Sequence, residues 1–170
     1  MKELLHFTEI IKHLERKGWK RKNIPQIETV ASHSWQMAMI AFYLSTTIKE
    51  KYDFNKIIHL CLIHDLAESI IGDITPKEEA YKNKQIIEKE AMKKISQDTN
   101  CPYLYDLFIE YEEKKTDEAK LANDLDKVDM YIQSLDYEKK YPNQDLEEFR
   151  NSAISSITTD IAKQIIQSFK

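Results

Sequence analysis

Apolar residues recur at intervals of three and four from the start of the chain, where Leu4, Phe7, Ile10, Ile11 and Leu14 fall on one side of a helix. The period breaks over GWKRKNIPQIE, which reads as a loop, and resumes in a helix expected from about Ser32 to Lys51. YDFN supplies a turn with Asn55 as its expected cap. Ile57, Ile58, Leu60, Cys61, Ile63, Leu66, Ala67 and Ile70 then clothe the next helix on nearly all sides, predicting a central, unbroken helix that Gly72 ends. Thr75, Pro76 and Glu78 carry the hydroxyl, proline and acid of a helix start and predict a long charged helix to about Gln97. CPYLYDLFIEYEEK reads as a shorter amphipathic helix, and Thr116 or Asp117 as the cap of another that runs to about Lys140. After Pro142 and Asn143, the spacing of Phe149, Ala153, Ile157, Ile161 and Ile165 predicts a terminal helix over 143–169 that packs on the rest. With two glycines, four prolines and no strand-like alternation, the expectation is an all-α single domain over 1–170.

Composition narrows the function. A net charge of -4 leaves no global positive field to recruit a nucleic acid polymer. Residues 29–48 carry no formal charge over twenty positions, the length of a membrane span, but eight of them are Thr, Ser, His or Gln, so a core helix is expected and no membrane. The amino terminus has no uninterrupted apolar stretch of signal-peptide type. Cys61 and Cys101 show neither metal-knuckle spacing nor a disulfide framework, and read as reduced thiols of a cytoplasmic protein.

The central apolar stretch nevertheless carries HDLAESIIGD. His64 and Glu68 are four apart, and Asp65 lies three before Glu68, so three polar heads enter a limited sector. A buried charge is costly unless paired or bound to a metal, and imidazole with carboxylate suits Zn, Mn, Fe, Co or Ni. His33 is a candidate third ligand, and Asp124, Asp126 or Asp129 a fourth. The apolar stripe Leu121, Leu125, Val128, Ile132 and Leu135 lies nearer in angle to Asp124 and Asp129, so spacing alone ranks Asp126 last.

GWKRKNIP, ETVASHSWQMA, HDLAESIIGDI and LDKVDMYIQSLDYE, over about 16–138, are similar in order and spacing to the HD-domain 5′-deoxynucleotidases, helical metal-dependent phosphohydrolases. The resemblance implies one divalent transition metal, in preference to Mg, on His33, His64, Asp65 and Asp126. It implies proton handling by Glu68, a catalytic or sugar-side role for Asp73, discrimination against a 2′-hydroxyl by Trp19 and phosphate contact by Arg21. Some relatives carry an arginine directly before the tryptophan, where this chain has Gly18. The implied substrate is a deoxynucleoside 5′-monophosphate and the implied assembly a homodimer. An alarmone hydrolase shares the four ligands, but typically follows HD with an adjacent Glu-Asp pair, where this chain has Glu68-Ser69. A non-catalytic nucleotide sensor is the alternative of another class. His6, His13 and His59 read as ordinary helix residues.

Overall fold

The computed structural model describes residues 1–48, 51–76 and 78–169. Among them the chain forms α1 (Lys2–His13), α2 (Lys17–Lys20), α3 (Val30–Thr47), α4 (Phe54–Ile63), α5 (Glu68–Ile71), α6 (Lys84–Asp98), α7 (Pro102–Glu113), α8 (Asp117–Lys140), α9 (Glu147–Ser156) and α10 (Asp160–Gln167). The described residues contain no strand, only an isolated bridge between Glu15 and Thr29. At its edges, Arg16 N–H donates to the Glu28 carbonyl and Val30 N–H to the Leu14 carbonyl, tying the end of α1 to the start of α3.

α3, α4 and α8 pack together at the centre. Their buried faces carry Val30, Met37, Ala41, Ile57, Leu60, Leu121 and Leu125, and Phe7, Met92 and Phe108 from the surrounding helices close the same core. α8 is 24 residues long, roughly 36 Å. That length lets one helix serve the main core and a second cluster, Val128, Tyr131, Ala153, Ala162 and Ile166, beneath α9 and α10. No helix among the described residues is long and apolar enough to cross a membrane.

Several element boundaries differ from the sequence reading, each for a local reason. α3 begins at Val30 because Thr29 and Ser32 form a reciprocal capping box, and it ends at Thr47 and not at about Lys51, since Ile48 is already extended at φ -106°, ψ 108°; Lys49 and Glu50 are outside the described residues. Asp53, not Asn55, caps α4 by accepting Lys56 N–H. GWKRK is not all loop, since Lys17–Lys20 make one helical turn. At 75–78 the expected capping contact forms, with Thr75 N–H donating to Glu78 Oε1 at 2.8 Å, but a 3₁₀ turn over Glu79–Asn83 follows and the helix starts only at Lys84. The expected terminal helix is two, α9 and α10, broken where Thr158 and Thr159 donate their N–H groups to Asp124 and Thr159 caps α10.

The central helix is also interrupted. His64 N–H still bonds four back to Leu60, but Leu66, Glu68, Ser69 and Ile70 bond three back, to Ile63, Asp65, Leu66 and Ala67. This tightening to 3₁₀ spacing superimposes residues three apart. It stacks Asp65 over Glu68, and Gly72 then leaves the helix at φ +75°, where a side chain is strained.

Candidate metal and phosphate site

His33 enters from the first turn of α3 and His64 from the end of α4; their rings meet edge to face with centroids 5.3 Å apart. Each ring is oriented by its far nitrogen. His33 Nδ1–H donates to Asp129 Oδ2 at 2.5 Å, both side chains being wholly buried, and His64 Nδ1–H donates to the Cys61 carbonyl at 2.8 Å. Carboxylate and carbonyl oxygens only accept, so in the neutral rings that a metal ion takes both protons sit on Nδ1 and both Nε2 atoms present a lone pair inward. Neither Nε2 has a hydrogen-bond partner, although both are buried. Asp126 Oδ1 faces His33 Nε2 at 3.2 Å and Asp65 Oδ2 faces His64 Nε2 at 3.1 Å, without the angles of hydrogen bonds. Ligand atoms of His33, His64 and Asp126 lie within 4.8 Å of one another. Two orphaned imidazole nitrogens fronted by two carboxylates fit a divalent cation of the transition series.

The three α8 acids separate by role. Asp124 and Asp129 are the most buried, as helical phase predicts, at 3% and 0% exposure. Asp124 is occupied at the α9–α10 break, and Asp129 holds His33. Asp126, which spacing ranks last, is the acid brought to the histidine pair. Burial follows the apolar stripe, whereas a site needs a carboxylate at the stripe's edge, where it can reach a cleft.

Charge compensation around the cluster is local. Burial and Arg16 disfavour a charged His33, but Asp126 and Asp129 outweigh them and raise its pKa to about 9. Burial pushes Asp65 up, yet His64 and His33 bring it well below the usual carboxylate range. Asp126 is held low against its burial by Lys127, 2.7 Å away, and by His33 and Arg16. Glu68 behaves oppositely. It is 3% exposed, its Oε2 has no partner, and burial followed by Asp65 and Asp73 raises its pKa well above the ordinary value.

A cavity of about 860 Å³ opens beside the cluster, with Arg16, Trp19, Arg21, Glu68, Asp73 and Phe149 among its walls. Trp19 is 1% exposed; its ring lies 4.3 Å from Phe149, and its Nε1–H donates to Glu28 Oε1 at 2.7 Å. It therefore fills core and cleft wall together. Arg21 donates to Thr75 Oγ1 at 2.7 Å, and Asp73 Oδ2 accepts Lys17 N–H at 2.6 Å, pinning α2 to the segment after Gly72.

Nothing in the sequence singles out Arg16, which also lines this cavity. Its guanidinium reaches Glu28 at 3.4 Å and Asp126 and Asp129 at 4.0 Å, and its side chain is 18% exposed. It hides in a basic run that reads as solvated surface, and only the bridge to Glu28 turns it inward. Lys84 and Lys127 also line the cavity.

A family model described as the HD domain matches residues 8–169. The 5′-deoxynucleotidase HDDC2 of Xenopus laevis is 37% identical over 160 residues, 89% of this chain and 78% of that protein. The 5′-deoxynucleotidase YGK1 of Saccharomyces cerevisiae is 31% identical over 96% of this chain and 79% of its own. A solved structure of a conserved hypothetical protein from Pyrococcus furiosus superposes with a TM-score of 0.87 at 32% identity, over 99% of this chain and 98% of that one. A helical cluster of this kind, a family match over nearly the whole chain and relatives above 30% identity over most of their length together mean that this chain belongs to the HD-domain 5′-deoxynucleotidase family.

Proposed function

We infer that the chain is a metal-dependent phosphomonoesterase that hydrolyses deoxynucleoside 5′-monophosphates to deoxynucleoside and phosphate. The observation that carries this reading is the pair of buried, partnerless Nε2 atoms fronted by Asp126 and Asp65 beside a buried carboxyl group with a free oxygen. His33, His64, Asp65 and Asp126 would hold one ion of the Mn, Co, Zn, Fe or Ni class. Bound there, the ion would polarise a phosphoryl oxygen and lower the pKa of water. Glu68 holds a proton at Oε2 for the departing 5′-oxygen. Arg16 and Arg21 offer guanidinium forks to the phosphate, and Asp73 holds α2 against the sugar side of the cleft.

Trp19 supports the preference for deoxy substrates physically. Its one donor is committed to Glu28, so the indole offers apolar surface to C2′ and nothing to a 2′-hydroxyl. An unmatched buried hydroxyl costs about 1–3 kcal/mol, or roughly 5–150-fold. The alarmone reading leaves Trp19 only its part in the core; the sensor reading leaves Glu68 without a task. The test is phosphate release by metal-stripped protein given Mn, Co, Mg or no metal, from dAMP, dGMP, dCMP, dTMP, AMP and guanosine tetraphosphate. Metal-dependent release from the deoxy monophosphates, with AMP at least about tenfold slower, is the expected result. Pyrophosphate release from the tetraphosphate alone would replace the substrate class, and tight nucleotide binding with no turnover would favour a sensor.

The outer face of α3 presents Trp35, Met39, Phe42 and Tyr43, each between 42% and 68% exposed, on a helix with no formal charge from Val30 to Thr47. Such a face meets a second copy without like-charge repulsion, and apolar patches of this kind mark interfaces. A homodimer through α3 is the assembly proposed, and a reducing cytoplasm, suited to the free thiols of Cys61 and Cys101, the compartment. Sedimentation of Phe42→Glu should give monomers where the parent gives dimers; dimers in both would remove α3 from the interface.

A further inference from the structure

Trp19 and Arg16 share one acceptor. Glu28 Oε1 accepts Trp19 Nε1–H at 2.7 Å and the Arg16 guanidinium at 3.4 Å. Both donors wall the large cavity, whereas Glu28 is not part of that wall and its side chain is 9% exposed. The carboxylate is held in turn from its own backbone. Glu28 N–H donates to the Tyr137 hydroxyl at 2.8 Å, and the Glu28 carbonyl accepts Arg16 N–H at 3.2 Å beside the bridge of Glu15 to Thr29.

For Trp19, packing and hydrogen bonding decide different things. Tyr137 meets the indole edge to face with centroids 5.3 Å apart, and Phe149 lies at 4.3 Å, so these rings fix the plane of the indole. The edge it turns to the cleft depends on where its N–H finds an acceptor, because a buried donor left unpaired is costly. With Nε1–H on Glu28, the edge left for the sugar carries no donor.

For Arg16 the same oxygen competes with two others. Its guanidinium stands 4.0 Å from Asp126 Oδ1, which faces His33 Nε2, and 4.0 Å from Asp129 Oδ2, which holds His33 Nδ1. Glu28, His33 and Asp129 also offer ligand atoms within 4.8 Å of one another, but Arg16 already serves this group as its cation. The hydrogen bond to Glu28 keeps the guanidinium off the carboxylate that faces the histidines and at the cavity wall.

We propose that Glu28 is the positioning residue for both substrate contacts: through Oε1 it withholds the Trp19 N–H from a 2′-hydroxyl and keeps Arg16 for the phosphate. This role rests on the phosphomonoesterase reading for its substrate, and binding tests it apart from turnover.

The test is calorimetric titration of the methylenephosphonate analogues of dAMP and AMP, in which carbon replaces the 5′-oxygen and hydrolysis is blocked, into protein saturated with Mn. Metal content is measured for every variant. In the parent the AMP analogue should bind at least about tenfold more weakly. Glu28→Met keeps the length of the side chain and removes the acceptor. It should bring the two Kd values within about threefold of each other, because the freed indole N–H then meets the 2′-hydroxyl, and weaken the dAMP analogue about tenfold as Arg16 turns to Asp126. Glu28→Gln keeps an oxygen for both donors and should stay within about threefold of the parent on both counts. In a Trp19→Phe background, with no N–H to withhold, Glu28→Met should change the ratio of the two Kd values less than about twofold. A parent that binds both analogues alike, or a Glu28→Met protein that weakens both equally and keeps their ratio, overturns the hold on Trp19. A dAMP-analogue Kd unmoved in Glu28→Met overturns the hold on Arg16. A Glu28→Gln protein that departs from the parent by more than about tenfold in either reading overturns the assignment to Oε1, whether or not Glu28→Met folds. A parent that shows the preference through Glu28 yet releases no phosphate from dAMP keeps the positioning role and overturns the activity.

Discussion

Asp126→Asn should purify with little or no bound metal and lose at least about 10³-fold in phosphate release, because several kcal/mol of transition-state stabilisation depend on the ion and each 1.36 kcal/mol is a factor of ten. The neighbouring acids set the scale of specificity for this result. Asp129→Asn retains an oxygen to accept His33 Nδ1–H, so the ring stays in place, but an amide no longer supports its basicity as a carboxylate does. A loss of about 10–100-fold in metal affinity, restored by excess metal, is the expected outcome. Asp124→Asn also keeps an acceptor for Thr158 and Thr159 N–H, and should leave metal content and activity unchanged. Metal analysis of the three purified variants reads the order directly. Metal lost from Asp124→Asn and kept by Asp126→Asn would show that the ligand set is wrong.

That gradient also measures how far sequence reasoning reaches. Helical period places most elements because α1, α7 and α8 each bury one face against the core, and α8 runs as expected from Thr116 to Lys140. It fails where hydrogen bonding departs from four-residue spacing. Over 63–70 the apolar residues Ile63, Leu66, Ala67 and Ile70 are three or four apart, a spacing that fits 3.0 residues per turn as well as 3.6, so the break between α4 and α5 is invisible in the pattern. It fails again at 157–159, where the break is enforced by Asp124, more than thirty residues away. For the site, phase correctly finds which acids are buried, but which carboxylate faces the histidine Nε2 atoms depends on which one stands at the edge of the stripe. The motif resemblance supplies that choice. Arg16 escaped both approaches, since its burial comes from a tertiary bridge between 15–16 and 28–29 and its position relative to Trp19 differs from the one the resemblance suggests.

Glu68→Gln should lower kcat by about 10²–10⁴-fold while metal content and nucleotide binding hold, the size of effect that loss of a positioned acid or base produces. The competing role for Glu68 is to orient a histidine ligand. The hydrogen bonds count against it, because the far nitrogens of His33 and His64 are already taken by Asp129 and the Cys61 carbonyl. An orienting residue would moreover lower metal affinity about 10–100-fold, and excess metal would rescue the variant; a proton donor is not rescued. The pH profile gives a second, independent reading. Burial raises the Glu68 pKa, with Asp65 and Asp73 adding to it. A divalent ion held by Asp65 would offset that acid's part and add its own positive charge, leaving burial as the cause that keeps the pKa up. The folded protein thus keeps this carboxyl protonated to higher pH than a solvated glutamate, and the donor form is lost as pH rises through the raised value. The parent's kcat should therefore fall on the alkaline side of that value, and the fall should be missing from Glu68→Gln, whose amide does not titrate. A Glu68→Gln profile with the same alkaline limb would assign the proton to another group, and of the acids in the cleft Asp73, beyond Gly72, would be the next to replace.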